Sequence, residues 1–209
     1  MNKPKIHIVG DGVFGTFLKE LLQPYVDFST EADNIILAVP SSAYEEVAEK
    51  YSGKHLINVC SVQEKTNDTC SRHSCFVTGF HPLFGKNSPE HGRTCIVTRT
   101  CAYTAEIIEL FEKINCQMVY SFNGEKINGE IHDRLMRKVH LPVLEFGEWA
   151  LTIVEQAKDI PDNLMPPSFK KLRDFAYQIK DIGEGTKESI KSNRDKKSPQ
   201  LVKGTYSER

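Results

Sequence analysis

The sequence has no apolar run near the roughly 20 residues that a membrane-spanning helix needs. Nothing at its start has the pattern of an export signal: MNKPKIHIVG runs straight into a strand-like segment. Charge of one sign is also missing. The formal net charge is −1, so no basic field argues for a nucleic-acid partner. Paired cysteine spacing is absent as well. Cys60, Cys70, Cys75, Cys95, Cys101 and Cys116 are scattered, several inside apolar runs, as expected of reduced, buried thiols in a cytoplasmic protein. Cys70 and Cys75 bracket His73, but the spacing is poor for zinc and a second ligand pair is lacking, so no metal site is expected. What remains is a chain of 209 residues with ordinary globular composition, enough for one sizeable domain or one with a small appendage.

Through residue 124 short apolar runs alternate with helical patterns. Lys5–Val9, Tyr25–Ser29, Asn34–Val39, His55–Cys60, a strand ending at His81, Thr94–Arg99 and Gln117–Phe122 read as strands. Asn34–Val39 is almost continuously apolar, as expected of a strand buried on both faces of a parallel sheet. Ser41 or Ser42 is a candidate cap for the helix that follows. The alternation predicts an α/β fold, a doubly wound and mostly parallel sheet, over residues 1–124. From Glu125 the pattern changes. Ile131, Leu135, Val139, Val143, Phe146 and Ala150 form a long helical stripe, with a kink or break expected at Pro142. A second helix is expected over Phe169–Ile182, which makes residues 125–184 a small all-helical region. Residues 185–209 are polar and charged and read as a disordered tail.

Three stretches carry chemistry. Gly10-Asp11-Gly12-Val13-Phe14-Gly15 follows a strand and opens a helix, the setting in which such glycines bind a dinucleotide. The first permits a tight turn, the second lets backbone approach a pyrophosphate, and the third lets helix and strand pack closely. Asp27, near the end of the second strand, is the candidate for the ribose hydroxyls of NAD; Ser29 and Thr30 could instead hold the 2′-phosphate of NADP. NAD is the favoured reading. Val39-Pro40, Cys60-Ser61 and His81-Pro82 all fall at carboxyl ends of expected parallel strands, the edge where open α/β sheets bind ligands. A histidine there can exchange a proton near neutral pH, and Ser61 can hydrogen-bond beside it, although Ser61 also reads as a helix cap. In EIHDRLMRKVHLP, residues 130–142, His132 and His140 stand eight residues apart, about 12 Å along a helix, so they cannot share a metal. Arg134, Arg137 and Lys138 add positive charge suited to an anionic substrate.

Together these stretches resemble the prephenate and arogenate dehydrogenase family of tyrosine biosynthesis. GDGVFG looks like its dinucleotide loop, NVCSVQ (58–63) its Ser-Val-Lys strand end with Gln63 in place of Lys, GFHPLFG (79–85) its His-Pro-Met-Phe-Gly, and residues 130–142 its His-Asp helix. The resemblance implies a Rossmann-like domain followed by helices that form a homodimer. It also implies a small anionic substrate, with His81 as the acid/base residue and Ser61 orienting the same hydroxyl. His132 and His140 would line the substrate side.

The chain departs from that family in its substrate half. About 35 residues follow Trp149 before the tail, where the family has a longer helical domain, and Val143 stands where many members have a histidine after the proline. Arg173 is the candidate for the substrate-carboxylate arginine. Two other readings stay open: a dehydrogenase or reductase of another small hydroxy compound, and a dinucleotide-binding regulatory protein without catalysis.

Overall fold

The computed structural model describes residues 3–194. The chain begins β1 (Lys5–Val9), α1 (Val13–Leu22), β2 (Asp27–Phe28), β3 (Asn34–Leu37), then a 3₁₀ turn over Ser41–Ala43. It continues α2 (Tyr44–Lys50), β4 (His55–Asn58), α3 (Glu64–His73), β5 (Val77–Pro82), β6 (Arg93–Arg99), α4 (Thr104–Lys113) and β7 (Cys116–Val119). A small hairpin, β8 (Ser121–Phe122) and β9 (Glu125–Lys126), leads to α5 (Gly129–Gln156), α6 (Pro167–Lys180) and α7 (Glu184–Ser192). The sheet order is β2-β1-β3-β4-β5-β6-β7, with every neighbouring pair parallel except β5 and β6. Its side chains alternate between two cores. Ile36 packs with Leu18, Leu22 and Phe111 on one face, while Ile35 and Leu37 pack with Tyr44, Ala48 and Cys70 on the other.

The chain moves from β1 to β2 on one side and returns to β3 on the other, so a switch point lies between β1 and β3. The return is unusually short. Ile6 pairs with Phe28 of β2 and also with Asn34 of β3, so only residues 29–33 cross β1. No crossover helix fits in that span.

Four expectations need correction. The helix α5 runs through Pro142 without a break. Proline removes one N–H from the ladder, and the neighbouring Leu141 and Leu144 are held in a cluster with Ile179 and Ile190. The side of Gly147 takes Ile179 so closely that a Cβ there would lie 2.3 Å from its Cγ1. The disordered tail expected from residue 185 is instead helical through Ser192, because Ile190 and Ser189 are buried against α5 and the Ser41 turn; residues 195–209 lie outside the described residues. Neither Ser41 nor Ser42 caps α2, whose N-cap is Ala43; the Ser41 N–H donates to Ser189 Oγ at 3.0 Å. Nor does Ser61 cap α3, whose N-cap is Gln63.

The cap of α3 comes from α5. Asp133 accepts from the N–H of Gln63 at 2.8 Å and of Glu64 at 3.0 Å. The approach is close enough that a Cβ on Gly129 would lie 2.6 Å from Glu64 Cα, which is backbone and cannot swing aside. Gly129→Ala is therefore expected to destabilise the fold by about 1–3 kcal/mol, read as a lower urea midpoint; an unchanged midpoint would show that the α3–α5 junction yields freely.

Candidate active site at the switch point

A cavity of about 800 Å³ opens at the carboxyl ends of the parallel strands, within the usual range for a small-molecule site. Its floor is Gly10–Gly15. Gly10 has φ +120°, and a Cβ there would lie 2.2 Å from Ala38 O. A Cβ on Gly15 would lie 2.2 Å from Gly10 O. Gly12 differs: its φ of −70° suits any residue, and a Cβ would meet nothing within 4 Å. The space before Gly12 is open. The first turn of α1 has no side-chain cap and no acidic residue, so its N–H groups are free for an anion. Val39, Pro40 and Ser61 line the same cavity.

The roof comes from residues that the sequence reading assigned to the helix end and the tail. Gly183, Gly185, Thr186 and Ser189 all line the cavity. A Cβ on Gly185 would lie 2.6 Å from Pro40 Cγ, and one on Gly183 would lie 3.4 Å from Val13 Cβ. The start of α7 thus rests on both the glycine turn and the end of β3. Lys191 pairs with Glu148 at 2.7 Å and Asn193 Nδ2 donates to Asp133 O at 3.0 Å, which ties this segment to α5.

Three imidazoles meet beside the cavity: His81 and His140 line it, whereas His132, expected on the substrate side, is fully buried and does not. His81 is 2% exposed; its Nδ1 lies 2.7 Å from His132 Nε2. His132 Nδ1 lies 2.7 Å from Asp133 Oδ1. The His140 ring is 5.5 Å from that of His81, centre to centre, and its Nδ1 is buried without a partner among the described residues. His132 and His140 stand eight residues apart on α5. Yet both helix histidines reach one ring, because His81 projects between them. The backbone bulges between Gly79 and Phe80 just ahead of His81. Gly79 leaves room for Thr98 and Asn67, whose side chains would lie 2.4 and 2.6 Å from a Cβ there.

Two expected site residues lie elsewhere. Asp27 pairs in register with Lys5, at the start of β1, so it sits four residues, about 13 Å, below Val9. It is exposed and does not line the cavity. Arg173 pairs with Asp162 and lies outside the cavity lining. Lys86 is the only lysine or arginine among the described residues that line the cavity. Ser61 lines it, but no hydrogen bond joins Ser61 to His81 among the described residues. Gln63 is fully buried: its Nε2 donates to Cys60 O at 2.6 Å and Phe80 O at 2.7 Å, and its Oε1 accepts from Thr98 Oγ1.

Burial, then the neighbouring His132 and His140, holds His81 well below the ordinary histidine value. Burial, then His132, brings His140 down to about 4, and burial alone brings His55 to about 4. In the unfolded chain these rings titrate near 6.5. Between those values the unfolded chain binds protons that the folded chain does not, so acid favours unfolding. The urea midpoint is expected to fall as pH drops from about 6.5 to about 4; a flat or rising midpoint would mean these rings are charged in the fold. For the glycine turn, Gly12→Val is expected to leave the melting temperature in place while weakening dinucleotide binding at least about tenfold, on the order of 1.4 kcal/mol. Unchanged affinity by calorimetry would remove the diphosphate from this site.

No family model matches the chain, and no curated protein matches it. Solved structures do. Prephenate dehydrogenase from Aquifex aeolicus is 17% identical with a TM-score of 0.57, covering 90% of this chain and 87% of its own. Synechocystis arogenate dehydrogenase is 15% identical with a TM-score of 0.54, again over 90% and 87%. A reductive aminase from Aspergillus terreus, solved with NADPH and ethyl levulinate, is 11% identical with a TM-score of 0.55, over 85% and 73%. At such identities the likeness shows the fold alone: a mostly parallel, Rossmann-like sheet followed by helices.

Proposed function

We propose that the chain is an NAD(P)-dependent oxidoreductase in which His81 takes the proton of a substrate hydroxyl. The observation that carries this reading is one continuous cavity, with the anion-ready glycine turn at one end and the buried His81–His132–Asp133 chain at the other. A bound nicotinamide would accept the hydride from the carbon that bears the hydroxyl. His81 would withdraw the hydroxyl proton in the same step, its neutral ring kept ready by burial. Ser61, on the cavity wall, would hydrogen-bond that oxygen, and His140 would face the substrate. Either nicotinamide dinucleotide suits this site, because Asp27, the residue that favoured NAD, lies away from the cavity.

The sequence resemblance makes prephenate or arogenate the first substrates to try, with loss of the ring carboxylate as CO2. A second reading, another small hydroxy or carbonyl compound, draws support from the position of Arg173. With that side chain outside the cavity lining, Lys86 is the one lysine or arginine among the described lining residues, on an exposed loop. The lining also includes the apolar Met136, Val139, Val143, Ile179 and Ile182, with Gln178 and Asp181 beside them.

Absorbance of the reduced nicotinamide, followed with prephenate and arogenate against both nucleotides, separates the two readings. His81→Asn is expected to lower kcat by about 10²–10⁴-fold with nucleotide affinity little changed. Ser61→Ala should cost less, about 1 kcal/mol, for one orienting hydrogen bond. If His81→Asn lowers the melting temperature and leaves turnover per folded molecule intact, His81 is a packing residue.

A further inference from the structure

We infer that His132 and Asp133 are positioning residues that fix the tautomer of His81, leaving its Nε2 as the bare nitrogen. This rests on His81 being the base proposed above. The argument is a count of donors. Asp133 accepts from two backbone N–H groups, of Gln63 and Glu64, which have no alternative form. Its Oδ1 also lies 2.7 Å from His132 Nδ1, so that nitrogen carries a proton and donates. A neutral His132 then has only Nε2 left, and Nε2 accepts. At 2.7 Å from it, His81 Nδ1 must be the donor. A neutral His81 so arranged has its lone pair on Nε2, free to take a proton. When the substrate O–H breaks, the proton bonds to that Nε2, and the resulting imidazolium keeps its Nδ1–H on His132.

The other groups facing this chain are His140, from the same helix, and the thiols of Cys95 of β6 and Cys60 beyond β4, which burial keeps protonated; among the described residues none of them hydrogen-bonds the rings of His81 or His132, whose partners are each other and Asp133. Asp133, Glu130, Asp68 and Arg137 lie around Glu64, and Arg137 also donates to Asn193. Lys86 stands on the loop after β5.

The tautomer can be read directly. In protein labelled with ¹⁵N-histidine, nitrogen–proton correlations of the ring report which nitrogen is protonated; loss of signal in His81→Asn and His132→Gln assigns them. At mildly alkaline pH, His81 and His132 are both expected to be protonated on Nδ1 and bare on Nε2. A proton on His81 Nε2 overturns the inference. In kinetics, His132→Leu removes the acceptor and is expected to lower kcat by about 10²-fold or more and distort the pH profile, with nucleotide affinity unchanged. His132→Gln offers a carbonyl oxygen to His81 Nδ1 and should recover most of that loss. Equal turnover per folded molecule in His132→Leu and wild type also overturns it. The expected tautomer with no turnover of any hydroxy substrate would sink the oxidoreductase reading while leaving this one standing.

Discussion

The carboxylate of Asp133 joins the start of α3, the helix α5 and the imidazole chain. It is 3% exposed, and a carboxylate so placed persists only where its oxygens are fully used. Here they cap α3 through Gln63 and Glu64 and hold the His132 ring. Its own backbone carbonyl takes the Asn193 side chain beyond α7. One residue therefore fixes where α5 meets the sheet domain, where the last helix returns, and how the imidazole chain is aimed. The close approach at Gly129 follows, since the carboxylate can reach those N–H groups only if the helix start lies against them.

Beneath this junction the polar residues are neutral and satisfied. Gln63 bridges the ends of β4 and β5, and Asn58 donates to Thr66 and Asn67 at 2.8 Å each. Tyr44 donates to Asn58 Oδ1 at 2.7 Å. A lysine in place of Gln63 would bring a charge into this network and could not accept from Thr98. The glutamine thus belongs with its neighbours: Gly79 admits Asn67 and Thr98, and those side chains occupy the carbonyl that a lysine lacks. Such networks hold only when every member is paired.

Much of the fold was legible because periodicity is local. Ile35, Ile36 and Leu37 announce a strand buried on both faces, and Gly10, Gly12 and Gly15 announce the turn after β1. The position of His81 near the end of β5 was legible too. The errors came where register or distant packing decides. Asp27 lies at a plausible distance in sequence, but β2 pairs with the start of β1 and never reaches the glycine turn. Arg173 sits on a basic, amphipathic helix, yet its partner is Asp162. The helix α7 looks polar, but its small residues Gly185, Ser189 and Ser192 are what let it lie against Pro40 and Ser41. Asp133 was visible in the His-Asp pair; an acid near the start of a helix ordinarily serves that helix, and here it serves α3.

The roof of the cavity has a bearing on how the protein is made. Its floor is formed by residues 10–15, whereas the hydrogen bond that seats α7, from Ser41 to Ser189, spans 148 positions. During synthesis the sheet can form and bury its two cores well before that helix leaves the ribosome. The cavity acquires its cover only when α7 arrives. A growing chain is thus globular before this cavity is closed.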